Sequence, residues 1–186
     1  GAAIAKRPVM VWIHGGALVY GSGNIGLYDG TALAQRGAVV VTLNYRMGAL
    51  GFFSHAAIDG DNRGPVNYGL YDQIAALRWV RDNIAAFGGD PANVTIFGQS
   101  GGGRKVSLCY AGEDARGLFQ RGIVQSGSHL RVQAPEEATR LTDALLAALD
   151  LGPGDAARLL EVPMDALSVA QLKVMRETRS RFSPVL

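Results

Sequence analysis

The sequence predicts an α/β layer built on a parallel sheet. Three observations carry this expectation. Short apolar runs rich in β-branched residues, such as "AVVVTL" and "VTIF", recur along the chain with the pattern of strands buried on both faces. Helical periodicity fills the stretches between them. Glycines gather at the ends of the apolar runs, where a chain turns tightly or lets another backbone come close.

Taken in order, the first strand is expected at Val9–Ile13 and ends in Gly15-Gly16, and the second is expected at Ala38–Leu43. In "YGLYDQIAALRWVRDNIAAFGG", Leu70, Ile74, Leu77, Val80 and Ile84 share one helical face, and Gly88 supplies the stop. The third strand is expected at Val94–Phe97, with a helix opening directly after Ser100, and the fourth at Gly122–Gln125. Beyond Ser128 the pattern changes. An amphipathic helix is expected over 134–149 through Leu141, Leu145 and Leu149. "LGPGD" breaks it, and further helices are expected at about 155–161 and 164–178. This leucine-rich tail reads as an excursion beside the sheet. No internal repeat or low-complexity stretch is found.

The 186 residues suffice for one domain with a hydrophobic core. The chain is 48% hydrophobic with a formal net charge of +2, which points away from disorder and from a nucleic-acid-binding surface. Arg176, Arg179 and Arg181 read as a solvated helix end. No apolar run approaches the roughly 20 residues of a membrane helix. The single cysteine, Cys109, allows no intrachain disulfide and reads as a small buried hydrophobe. Gly1 begins no signal peptide. The opening "GAAIAKRPVMVWIHGG" enters a strand almost at once, as if sequence upstream were missing.

The chemistry is concentrated in glycine motifs. Gly98-Gln99-Ser100-Gly101-Gly102 matches a nucleophile elbow, in which a sharp strand-to-helix turn lifts a serine hydroxyl above the sheet. The five-residue pattern is weak alone, but a buried strand before it and a helix after it supply the required context. A helix N-terminus there also favours negative charge beside the serine. In "WIHGGAL", His14-Gly15-Gly16-Ala17 ends another strand and reads as the loop that offers backbone N–H groups to an oxyanion.

The glycines allow two other readings. Gly21-Ser22-Gly23-Asn24-Ile25-Gly26 fits G-x-G-x-x-G, and Arg46 could suit a 2′-phosphate, so a nicotinamide-cofactor oxidoreductase is a rival. "HGGALVY" separates these glycines from the strand, however, and a plain loop fits better. "GQSGGGRK" begins like a phosphate-binding loop, but Arg104 and Lys105 stand where Lys and Ser or Thr are needed. That reading fails.

With these residues in place, the chain resembles the central part of a type-B carboxylesterase, the family of bacterial carboxylesterases and cholinesterases. The stretches that carry the likeness are "PVMVWIHGGALVYGSG", "VVVTLNYRMGALGFF", "NYGLYDQIAALRWVRDNIAAFGGDPANVTIFGQSGGG" and "GLFQRGIVQSGS". They run in order through most of 8–128, and 129–186 are less distinctive. The resemblance implies a partial α/β-hydrolase domain over 1–186, with the sheet, oxyanion loop and elbow in 1–128 and a helical excursion in 129–186. Upstream strands and the last two strands of the sheet would be absent.

The resemblance further implies hydrolysis of small carboxylic esters through an acyl-enzyme. Ser100 would be the nucleophile, and Gly16, Ala17 and Gly101 would supply the oxyanion N–H groups. Gly15 would shape the loop and Ser126 would support the acid's end of the triad. A buried Arg46–Asp72 ion pair is implied as well. No metal or organic cofactor is expected. Many members carry Glu and Ala where this chain has Gln99 and Gly101; the missing charge at Gln99 argues against cationic alcohols. The triad histidine and acid would lie beyond Leu186, so the chain is expected to be a segment of a larger enzyme, weak or inactive alone.

His129, the only histidine after Ser100, could line the acyl or alcohol pocket; the lesser alternative is a makeshift base, with Glu136 and Glu137 as the nearest acids in sequence. His14 is expected in the oxyanion loop and His55 in solvent. The sheet edges are expected to be covered by missing segments or by another chain. A non-catalytic binding or scaffold member of the same fold is the alternative reading.

Overall fold

The computed structural model describes residues 6–55, 67–128 and 131–185. These residues fall into two compact units. One draws on 1–45 and 70–130 and contains the sheet; the other draws on 46–69 and 131–186 and is helical.

In the sheet unit, β1 (Arg7–Ile13), β2 (Val39–Thr42), β3 (Gly89–Gln99) and β4 (Arg121–Gln125) form one parallel sheet in the order β2-β1-β3-β4. All four strands lie where the apolar runs place them. β1 and β3 are central, and Val9, Val11, Ile13, Val94 and Ile96 have no exposed surface. Complete burial of such a side chain contributes about 2 kcal/mol. The alignment of β1 on β3 shifts between Arg7 and Val9, around Pro8, which has no N–H to give to a ladder. β3 starts five residues earlier than its apolar run, because "GDPAN" is extended yet rich in turn formers. Asp90 accepts a hydrogen bond from Ala92 N–H at 3.0 Å within that stretch.

α3 (Tyr68–Asn83) follows α1 (Thr31–Ala34) and α2 (Gly48–Phe52), and its periodic face, Ile74, Leu77 and Val80, is buried as expected. Gly88 ends the following 3₁₀ turn in a left-handed conformation, φ 79°. α4 (Gly101–Ala111) packs on β3 and β4. Cys109 lies buried in it as a free thiol, and burial pushes that thiol up to about 12.

The helical unit contains α2, α5 (Pro135–Ala148), a 3₁₀ stretch at Pro153–Glu161 and α6 (Met164–Thr178). Pro135 opens α5, where its missing N–H costs nothing. The unit's core includes Phe52, Leu141, Leu145, Leu146, Leu167, Val174 and Phe182. His55 corrects an expectation. It is 6% exposed rather than solvated, and its Nε2 meets Asp143 Oδ1 of α5 at 3.1 Å. Thr142 donates to the Ser54 carbonyl beside it at 2.7 Å.

Candidate active site

The strand order itself selects a location. From β1 the chain moves to β2 on one side, then returns past β1 to β3 and β4 on the other. β1 and β3 therefore flank the point where the direction of winding reverses, and open α/β sheets bind ligands beyond the carboxyl ends of strands there. The two motifs singled out in the sequence leave the sheet at those two ends.

After β1, His14 and Gly15 are buried and the chain folds back through a tight loop. Gly16 has φ 116°, and a Cβ on it would overlap the Tyr20 carbonyl oxygen, so only glycine fits. Val19 and Tyr20 donate their N–H groups to Gly16 O at 3.0 and 3.1 Å. Ala17 and Leu18 then take φ 54° and 69° although neither is glycine. Each left-handed residue costs roughly 1–2 kcal/mol, which the closed loop and buried Leu18 must offset.

After β3, Ser100 stands at φ 55°, ψ −120°, between the strand and α4. It is exposed, and among the described residues its hydroxyl has no hydrogen-bond partner. Its N–H donates to Gln125 O at the end of β4 (2.8 Å), and its carbonyl accepts from Arg104 N–H (3.0 Å). The turn closes because its neighbours are small: a Cβ on Gly102 would overlap the Ile13 carbonyl oxygen.

The two loops touch. A Cβ on Gly15 would come within 2.7 Å of Gln99 O and 3.5 Å of Ser100 Cβ, and one on Gly101 within 3.3 Å of Ala17 N. Ser126 follows β4 with φ 52°, and Gly127 presses on the Ser100 carbonyl. Gly15, Gly16, Ala17, Ser100, Gly101 and Ser126 are thus brought together at the carboxyl ends of β1, β3 and β4. The N-terminal end of α4 adds its positive dipole beside Ser100. His129 lies outside the described residues. His55 belongs to the helical unit.

Beneath these loops lies a cluster that sequence reasoning missed. Lys105, Tyr45 and His14 are buried and joined by hydrogen bonds. Burial, with the nearby Arg104 charge, holds the Lys105 amine down at about 7. Burial lowers His14 and raises Tyr45 from their ordinary values. The available signal was a lysine on the apolar face that Gly102, Val106 and Cys109 mark on α4.

Gly21–Gly26, the rival dinucleotide motif, leads only into a three-residue 3₁₀ turn at Gly26–Tyr28, too short to present a helix N-terminus to a pyrophosphate. Among the described residues no group of His, Cys, Asp and Glu could hold a metal ion.

Residues 2–175 match the family model described as the carboxylesterase family. The chain belongs to that family. It is 47% identical over 175 residues to the para-nitrobenzyl esterase of Bacillus subtilis (strain 168), covering 90% of this chain and 34% of the relative. It is 54% identical over 125 residues to mouse neuroligin-3, covering 67% of this chain and 14% of that protein. The solved structure of a thermophilic pNB esterase superposes with a TM-score of 0.90 at 42% identity, covering 98% of this chain and 38% of that one. The sheet and its flanking helices are therefore part of an α/β-hydrolase fold. The chain spans about a third of the length of the esterases it matches.

Proposed function

We propose that this chain carries the nucleophile and the oxyanion donors of a serine carboxylesterase acting on small carboxylic esters. One observation carries the reading: Ser100 stands exposed in a left-handed strand-to-helix turn, with the backbone of Ala17 beside Gly101. Ser100 Oγ bonds to the ester carbonyl carbon while its proton passes to a histidine outside this sequence. The N–H groups of Gly16, Ala17 and Gly101 hold the resulting oxyanion, and losing one such donor costs about 3–4 kcal/mol of transition-state stabilisation. The bond to the alcohol oxygen then breaks, the histidine returns the proton to the leaving alcohol, and the acyl group stays on Ser100. Water repeats the sequence and releases the acid.

Gly15 shapes the oxyanion loop and Ser126 supports the acid's end of the triad. This chemistry needs neither metal nor organic cofactor. Residues 1–128 and 129–186 form parts of one α/β-hydrolase domain. The outer edges of β2 and β4 are covered by further strands of a longer polypeptide or by a second chain. Ile123 and Val124, 44% and 36% exposed on β4, support this, since bare apolar edges invite pairing.

The neuroligin match favours a second reading, in which the scaffold serves binding without catalysis. Intact mass before and after a fluorophosphonate separates the two. Catalysis predicts a single adduct, absent in Ser100→Ala. No adduct in the longest polypeptide that carries this chain would favour the scaffold.

A further inference from the structure

Lysines occur only at positions 6, 105 and 173. Lys6 and Lys173 are exposed, whereas Lys105 has no exposed surface. A fully buried lysine is ordinarily paired with a carboxylate or held neutral. No carboxylate contributes to the surroundings of Lys105 among the described residues.

Its partners trace a path to the oxyanion loop. Lys105 Nζ donates to the Tyr45 hydroxyl at 2.8 Å and to the Gly101 carbonyl at 3.1 Å. Tyr45 gives its only proton to the His14 carbonyl at 2.6 Å. His14 Nδ1 lies 2.7 Å from Gly15 O, an acceptor only, so Nδ1 carries the ring proton. Among the described residues His14 Nε2 is buried without a partner, as suits a neutral imidazole. The Gly15 carbonyl belongs to the peptide whose N–H is that of Gly16. One arm of the network thus fixes an oxyanion donor, and the other holds the first turn of α4 beside Ser100.

We infer that Lys105 is a positioning residue for acyl transfer: it ties the loop after β1 to the first turn of α4 through Tyr45 and Gly101, and so places its amine beneath the oxyanion. The inference rests on Ser100 being the nucleophile. The neutral amine has two N–H donors for its two acceptors, Tyr45 Oη and Gly101 O. The ammonium's third donor has the Tyr45 ring, whose centroid is 4.1 Å away. Both charge states therefore fit the site.

The groups facing Lys105 are His14 from the end of β1, Tyr45 from the segment after β2, and Arg104 and Cys109 on its own helix. Burial keeps His14 neutral and Tyr45 protonated near neutral pH, so Lys105 is the member of this network whose charge changes there. The sign follows directly. An oxyanion is stabilised by the ammonium, and that help is lost as pH rises through about 7.

The test measures phosphonylation of Ser100 against pH by intact mass, in the longest polypeptide that carries the chain, with Lys105→Met, Lys105→Arg and Ser100→Ala alongside. The wild-type rate divided by the Lys105→Met rate should fall about tenfold between pH 6 and pH 8.5, below the full value of a lost donor because the charge acts at one remove. Lys105→Arg, charged throughout, should show no such fall. In wild-type protein labelled with [13Cε]lysine, the buried lysine signal should titrate near pH 7 together with the Gly16 and Ala17 amides, a readout that requires no variant to fold. A flat rate ratio, or a buried lysine titrating near the ordinary value of about 10.4, overturns the inference alone. Absence of any adduct at every pH overturns the Ser100 reading and the inference with it.

Discussion

The loops at the strand ends and the helical stretch 131–185 are limited by different contacts. At the strand ends, backbone meets backbone. A Cβ on Gly16 overlaps Tyr20 O, and one on Gly102 overlaps Ile13 O. In 131–185 the glycines are loose: a Cβ on Gly154 meets nothing within 4 Å, and one on Gly152 nothing nearer than 3.4 Å. What fixes that stretch is side-chain fit, through Leu141, Leu145, Leu146, Leu167 and Val174. Gly16 and Gly102 stand where no methyl group fits, and the backbone close to Ser100 on the proposed reading is held by these two contacts rather than by side chains.

The largest expected effect is at Gly16. Gly16→Ala adds one methyl at φ 116°, so the loop must open and its N–H groups must turn away. Fluorophosphonate labelling of Ser100 should slow by roughly 10²–10³, the value of one oxyanion donor. A rate within threefold of wild type would break the comparison at its strongest point.

Side-chain packing should answer differently. Leu146 in α5 is 1% exposed. Leu146→Ala should lower the unfolding free energy in urea by about 3 kcal/mol, and Leu146→Met, which conserves volume, by less than about 1.5. Equal losses for the two variants would mean that α5, like the strand ends, tolerates no change of shape.

Much of this was legible in the sequence, because short-range patterns carry it. The four strands follow from β-branched runs, and the elbow follows from a serine among glycines between a strand and a helix. The unread parts are those whose partners lie far along the chain. Lys105 stands where a phosphate-binding loop needs Ser or Thr, and no short-range pattern gives it another role, since its acceptor, Tyr45, is 60 residues away. His55 looked like a loop histidine until α5 brought Asp143 to it across 88 residues. Ala17 and Leu18 gave no sign of left-handed backbone, which the glycine signature cannot mark when other residues are forced into it.

The His55–Asp143 contact supplies the smallest prediction and the finest test of the contrast. Within one unit it joins a buried imidazole to a carboxylate that is 44% exposed, so water screens much of the attraction. A double-mutant cycle with His55→Ala and Asp143→Asn should give a coupling of about 0.5–1 kcal/mol in urea unfolding at pH 7. The cycle is needed because His55 has further partners that its single variant would also remove. A coupling near zero would leave packing alone to hold the segment at His55 to α5. One above about 2 kcal/mol would make this polar contact rival the core leucines, and the helical unit could no longer be described by side-chain fit.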